Sequence, residues 1–266
     1  MNPLDRCGYF EVRGTHLYTV LHEVPDPLAR VLLVGAFGSE RNTAYTPWVR
    51  WSRYLALRGI ECLRFDYRGM GESTGDFAGL SFEDWSEDVE LMAEWLNNRS
   101  PAVPLVLHGL ELGALLAGKA FAARLGDALL TWAAPASANE VLRPALQRRV
   151  TADNMFRYGT QRRAMTDYIR QLETEPLEVD GYRWSSKLWN DSFRFEMPPA
   201  ILDGSGVFDG KRQFRAVSLD RSAEPLVKGS LSVVVNPDLS GLFADNFEWI
   251  ASTLAITPGG GSGRSY

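Results

Sequence analysis

The ten residues Leu105-Val106-Leu107-His108-Gly109-Leu110-Glu111-Leu112-Gly113-Ala114 constrain the fold more than any other stretch. They read as a buried strand that turns at once into a helix, with Gly109 and Gly113 flanking the turn. Such flanking glycines let a strained residue between them, here Glu111, project its side chain above a sheet.

Other buried-strand and amphipathic-helix patterns alternate around this turn. Arg30 to Phe37 is a nearly continuous apolar run, as expected of a strand covered on both faces. Ile60 to Tyr67 and Ala128 to Pro135 read the same way. Between the first two, Thr46 can cap a helix with Pro47 in its first turn, Trp48, Trp51 and Leu55 share one face, and Gly59 can end it. After the loop Arg68-Gly69-Met70-Gly71-Glu72-Ser73, Ser81 and Asp84 form a capping-box pattern for a second helix. Phe82, Trp85, Val89, Met92 and Leu96 form its inner stripe. Repeated β-then-α units with short connections specify a parallel sheet with helices on both faces. Tyr9–Arg13 and His16–His22, joined across Gly14-Thr15, add an antiparallel hairpin at one edge. From 137 to 199 the pattern changes to helical segments rich in arginine and aromatic residues, with no convincing buried strand, as in an inserted lid. Phe214–Leu219 and Ser230–Val235 then read as the last two of about eight strands, before a closing helix holding Phe247, Trp249, Ile250 and Leu254. One α/β domain over residues 1–256 is expected, followed by a flexible tail at 257–266.

Composition excludes several classes. A net charge of −5 gives no general attraction to nucleic acid or anionic membrane surfaces. No apolar run is long enough to cross a bilayer, and the N-terminus lacks a signal core. Two cysteines, Cys7 and Cys62, make no disulfide framework and no thiol-rich metal pattern, so a cytoplasmic protein without metal or cofactor is expected.

The βα order, the loop Asp66-Tyr67-Arg68-Gly69-Met70-Gly71-Glu72-Ser73 and the elbow at 109–113 together resemble the α/β-hydrolase superfamily. Within it the chain is most similar to hydrolase-like proteins encoded with exosortase systems. That likeness spans roughly residues 8–135 and Val179-Asp180-Gly181-Tyr182-Arg183-Trp184, and covers the C-terminal quarter poorly. It implies an α/β-hydrolase fold, but that subfamily includes irregular elbows and no well-defined reaction. A serine hydrolase needs a nucleophile, an imidazole, an acid and amides that receive the oxyanion. Here Glu111 stands at the nucleophile position, and the segment Asn236–Phe243, where the imidazole should follow the last strand, contains no histidine. The chain's histidines are His16, His22 and His108, all upstream, and His108 reads as a core residue. Asp220 matches the acid's place but has no histidine to orient. Asp66 and Arg68 are expected to tie their loop to the sheet. The oxyanion amides would be those of Leu112 and of Ala36 or Phe37, which do not depend on side chains.

Related enzymes with an Asp at the elbow still use a histidine to activate water, and Glu reaches one methylene further. Three readings therefore stay open for Glu111: a binding or accessory protein with a degenerate triad, that is, a pseudoenzyme; an acid–base enzyme for elimination, isomerisation or cyclisation; or an unconventional hydrolase. The lid carries seven arginines between 141 and 170, namely Arg143, Arg148, Arg149, Arg157, Arg162, Arg163 and Arg170, against Asp153 and Asp167. Arg148, Arg149, Arg157, Arg162 and Arg163 are the candidate ligand contacts, for a small, anionic molecule under the lid or an acidic carrier protein. An exposed edge strand or lid face leaves room for a homodimer.

Overall fold

A computed structural model of the chain describes residues 5–155, 162–202, 204–219 and 238–257. Its centre is an eight-stranded sheet in the order β1-β2-β4-β3-β5-β6-β10-β9. The strands are β1 (Asp5–Val12), β2 (Thr15–His22), β3 (Ala29–Val34), β4 (Ile60–Phe65), β5 (Leu105–Leu110), β6 (Ala128–Trp132), β9 (Gly206–Phe208) and β10 (Arg212–Val217). The five from β4 to β10 pair in parallel, whereas β1, β2 and β9 run antiparallel to their neighbours. Every residue of β3, β5 and β6 is buried, as both-face coverage requires.

Helices α1 (Glu40–Ala56) and α8 (Ser240–Thr253) cover one face. Trp51, Leu55, Phe243 and Ile250 pack there on Val31, Leu33, Val106 and Leu130. Helices α2 (Phe82–Arg99) and α3 (Leu112–Ala122) cover the other, with Trp85, Val89, Met92 and Leu116 on Leu32, Leu107 and Leu129. The Ser81–Asp84 capping box forms as read, and all five residues of the inner stripe are buried.

Three expectations are corrected. Helix α1 begins at Glu40, so Pro47 lies inside it. Burial of Ala44, Pro47 and Trp48 on the sheet holds this longer helix together despite the ~3 kcal/mol that an interior proline costs. The edge hairpin turns at Arg13-Gly14, both at positive φ, one residue earlier than read. Among the described residues β9 pairs with β10 at the far edge, and the Ser230–Val235 candidate lies outside them. Finally, the segment between β6 and β9 is not purely helical. Besides α4 (Asn139–Met155), α5 (Met165–Leu172), α6 (Ser186–Asp191) and α7 (Pro199–Leu202) it contains an antiparallel pair, β7 (Leu177–Val179) and β8 (Tyr182–Trp184). Asp180 and Gly181 turn that pair at φ 51° and 85°, the left-handed pair a two-residue hairpin loop demands.

Candidate functional site

Glu111 joins β5 to α3 at φ 52° and ψ −120°. A non-glycine residue there is strained by about 1–3 kcal/mol, and the surroundings show how the strain is held. The Glu111 amide donates to Trp132 O at 3.0 Å, and its carbonyl accepts from the Ala114 amide at 2.8 Å. A Cβ on Gly109 would sit 2.4 Å from Ala114 Cα, and one on Gly113 would sit 2.2 Å from Val34 O and 2.3 Å from Gly35 O. Only hydrogens fit at those two places, which brings the first turn of α3 directly against the end of β3.

The loop after β3 is fixed from a second side. Tyr67 Oη donates to Gly35 O at 2.7 Å, and burial pushes this phenol well above its ordinary range, so it remains a donor. Ala36 and Phe37 follow and are buried, the Phe37 ring 4.6 Å edge-on from Trp85 and 5.8 Å from Phe77. Leu112, the first residue of α3, is fully buried. Phe37 and Leu112 join the core cluster on the α2–α3 face and Ala36 the one on the α1 face, while Glu111 is itself buried at 3% exposure.

The histidines lie elsewhere. His108 projects among Trp48, Trp51 and Trp132, and its Nδ1 accepts from Trp51 Nε1 at 2.9 Å. Burial holds it well below the usual imidazole range, hence neutral. His22 lies on β2, with Nδ1 2.7 Å from Asp5 Oδ1 and Nε2 2.9 Å from Ser52 Oγ. This Ser–His–Asp chain has the connectivity of a catalytic relay, but Ser52 is fully buried and His22 is 1% exposed. It clips β1 and β2 to α1. His16 is exposed on the hairpin. Asp220 is outside the described residues.

Asp66 and Arg68 hold their loop mainly to the helices rather than to the sheet. Asp66 takes a bidentate pair from Arg41 of α1 at 2.9 and 2.6 Å, and Arg68 Nε donates to Asp88 of α2 at 2.6 Å. Ties to the sheet come instead from Ser73 Oγ, which accepts from the Tyr18 amide, and Thr74 Oγ1, which accepts from the His16 amide, each at 2.8 Å.

Among the described residues, the candidate arginines have these partners. Arg148 Nη2 pairs with Asp180 at 2.7 Å and Glu40 at 3.0 Å, stitching the inserted segment to the start of α1. Arg149 pairs with Asp153 at 3.1 Å and donates to Glu178 O at 2.8 Å. Arg163 donates to Gln171 Oε1 at 2.8 Å and lies over the Tyr168 ring. Arg162 is exposed, and Arg157 is outside the described residues. A cavity of about 20 Å³ lies between Phe37, Leu142, Val179, Tyr182 and Trp184, beside Arg148. That is room for about one water. Among the described residues no cluster of His, Cys, Asp and Glu could hold a metal, and no helix is long and apolar enough to cross a membrane.

A mainly parallel sheet flanked by helices, with a strained residue between close-packed glycines at the strand-to-helix turn, defines an α/β-hydrolase fold. The family model described as "Serine aminopeptidase, S33" matches residues 20–183, well over half of the chain, which therefore belongs to that family. Among solved structures, Est1E from Butyrivibrio proteoclasticus, determined with ferulic acid bound, is 14% identical with a TM-score of 0.62 over 93% of this chain and 99% of that one. The α/β hydrolase GrgF from Penicillium sp. sh18 is 16% identical with a TM-score of 0.59, over 95% and 99%. A Xanthomonas campestris serine hydrolase described as lacking a lid is 22% identical with a TM-score of 0.44, over 51% and 64%. The match spans less than two thirds of that protein and 63% of a Coxiella burnetii serine hydrolase homologue. These identities speak to the fold alone. No curated protein sequence matches the chain.

Proposed function

We propose that this protein is a degenerate member of its family, without the Ser–His pair of hydrolysis, and that it binds a ligand or serves as an accessory protein in a biosynthetic pathway. The observation that carries this reading is Glu111 itself. The elbow keeps its strained backbone and its glycines, yet a buried carboxylate occupies the nucleophile position. The chain's histidines are held in a tryptophan cluster, in the β2–α1 clip and on an exposed hairpin. A carboxylate in that position cannot be acylated and released in the ordinary way without an imidazole to activate water.

In this reading residues 137–199 act as a lid over the site, the folded unit is 1–256, and the ligand is small and anionic or is carried on an acidic protein. The ion pairs of Arg148 and Arg149 direct an anion toward the exposed Arg162 rather than toward a converging arginine pocket. The resemblance to exosortase-associated proteins supports an accessory role, and the two free cysteines are in keeping with a cytoplasmic one.

Labelling with a fluorophosphonate probe tests the proposal. The wild type is expected to remain unlabelled at concentrations that saturate an ordinary serine hydrolase; stoichiometric labelling would overturn it. Glu111→Gln separates the acid–base alternative: if a turnover is found and the variant loses it with the fold intact, the carboxylate belongs to the chemistry.

A further inference from the structure

Beside β2 and β4, under the first two turns of α1, lies a cleft of about 360 Å³ bordered by Tyr18, Arg41, Tyr45, Arg64, Asp66 and Glu72. A smaller cavity of about 30 Å³ shares Arg41, Tyr45, Arg64 and Asp66 with it and reaches Gly35 and Ala36. The larger volume falls within the ~300–1000 Å³ common for small-molecule sites.

The charges here are unevenly used. Arg41 is neutralised by its bidentate bond to Asp66. Arg64 is half-buried, yet among the described residues it has no carboxylate partner. Its Nε donates to His22 Nε2 at 3.1 Å, and its guanidinium carbon lies 5.5 Å from the Tyr45 ring centre. For His22 to accept at Nε2 it must be neutral with its proton on Nδ1, and Asp5 Oδ1, 2.7 Å from Nδ1, fixes that tautomer. The buried Asp5–His22 pair therefore orients Arg64 without neutralising it. One of the five guanidinium N–H groups is spent on His22, and the others are left to the cleft that Arg64 lines.

We propose that this cleft binds a small organic monocarboxylate, its head group on Arg64 and its apolar body against Tyr45, Val20 and Phe65, which also line the space. A single negative charge is favoured over a dianion because, among the described residues that line the cleft, Arg64 is the cation without a carboxylate partner, and the exposed Glu72 stands at the rim. Glu111 does not line the cleft, and the proposal does not depend on the reading of the elbow.

Calorimetric titration of the full chain at low salt with benzoate, its neutral isostere benzamide and inorganic phosphate tests this. Benzoate is expected to bind at least about tenfold more tightly than either of the others, as a charge-assisted bond to Arg64 implies. Arg64→Gln is expected to weaken benzoate by about tenfold or more, and Tyr45→Ala by several-fold. Glu72→Gln, which lifts the rim repulsion, is expected to strengthen it. The proposal is overturned if benzoate does not bind, if benzamide or phosphate binds as tightly, or if Arg64→Gln changes nothing. Should Arg64→Gln fail to fold, the exposed positions 45 and 72 decide: unchanged affinity in both variants overturns it.

Discussion

Replacing Gly113 by alanine tests the packing of the elbow most sharply. The new methyl carbon would lie 2.2 Å from Val34 O and 2.3 Å from Gly35 O, closer than any ordinary contact. Both obstacles are backbone, and the Gly35 carbonyl is also tied down by Tyr67, so neither can turn away as a side chain would. Overpacking of a core costs about 1–3 kcal/mol where neighbours can adjust. With two backbone oxygens in the way, the cost here should reach at least the top of that range, about 3 kcal/mol. Gly109→Ala should behave alike, its methyl meeting Ala114 Cα at 2.4 Å and Gly113 O at 2.5 Å. Gly241→Ala is the control: nothing lies within 4 Å of its added carbon in the first turn of α8, so it should be neutral or stabilising by up to about 1 kcal/mol. Urea unfolding followed by tryptophan fluorescence reads all three. At a slope of about 1–3 kcal/mol per M, a 3 kcal/mol loss lowers the midpoint by about 1 M or more. A Gly113→Ala protein whose midpoint stays within about 0.2 M of wild type would refute the close approach of α3 to β3.

Other consequences follow from the buried charges. Arg68→Met strips the partner from Asp88, which is fully buried, and should cost about 3–5 kcal/mol at pH 8 by chemical denaturation. The cost should shrink as the pH falls toward about 6 and level off below it, because burial pushes Asp88 up to about 6 even beside Arg68, and loss of that partner raises it further in the variant. His108 is held far below its ordinary pKa, so the unfolded chain takes up its proton first and stability falls as pH drops below about 6.5. Between pH 6 and 5 the wild type should lose roughly 1 kcal/mol more than His108→Phe; parallel pH profiles would contradict this. Arg148→Ala breaks an exposed pair to Asp180 and a largely buried one to Glu40 and should cost about 1 kcal/mol, the Asp180 part fading at high salt in thermal melts.

Local signals carried most of the fold. The Gly109/Gly113 spacing, the Ser81–Asp84 capping box and the apolar runs of β3, β5 and β6 each follow from short-range rules, and each forms where read. The start of α1 was obscured because Thr46-Pro47 imitates a helix entry, while the burial that extends the helix back to Glu40 is a tertiary effect. The β7–β8 pair did leave a signal, the Asp180-Gly181 dipeptide between alternating apolar residues, but it was masked by the surrounding helices. β9 leaves a similar one in Asp209-Gly210, on strands too short for periodicity to register. At the site, the strained turn at Glu111 was legible because the elbow is local. The Asp5–His22–Ser52 chain, the Arg41–Asp66 clamp and the Arg64–His22 bond were not, since each joins segments distant in sequence. The arginine cluster was visible as composition, but composition does not show that Arg148 and Arg149 have acidic partners nearby.

The central claim concerns what replaces the nucleophile, and turnover of activated esters measures it most directly. Purified wild type, Glu111→Ala and Glu111→Gln would be assayed against p-nitrophenyl acetate, butyrate and octanoate, with circular dichroism confirming that each is folded. The account predicts that all three proteins are indistinguishable from the buffer rate. Hydrolysis by the wild type that disappears in both variants while the fold persists would contradict it and make Glu111 a catalytic carboxylate.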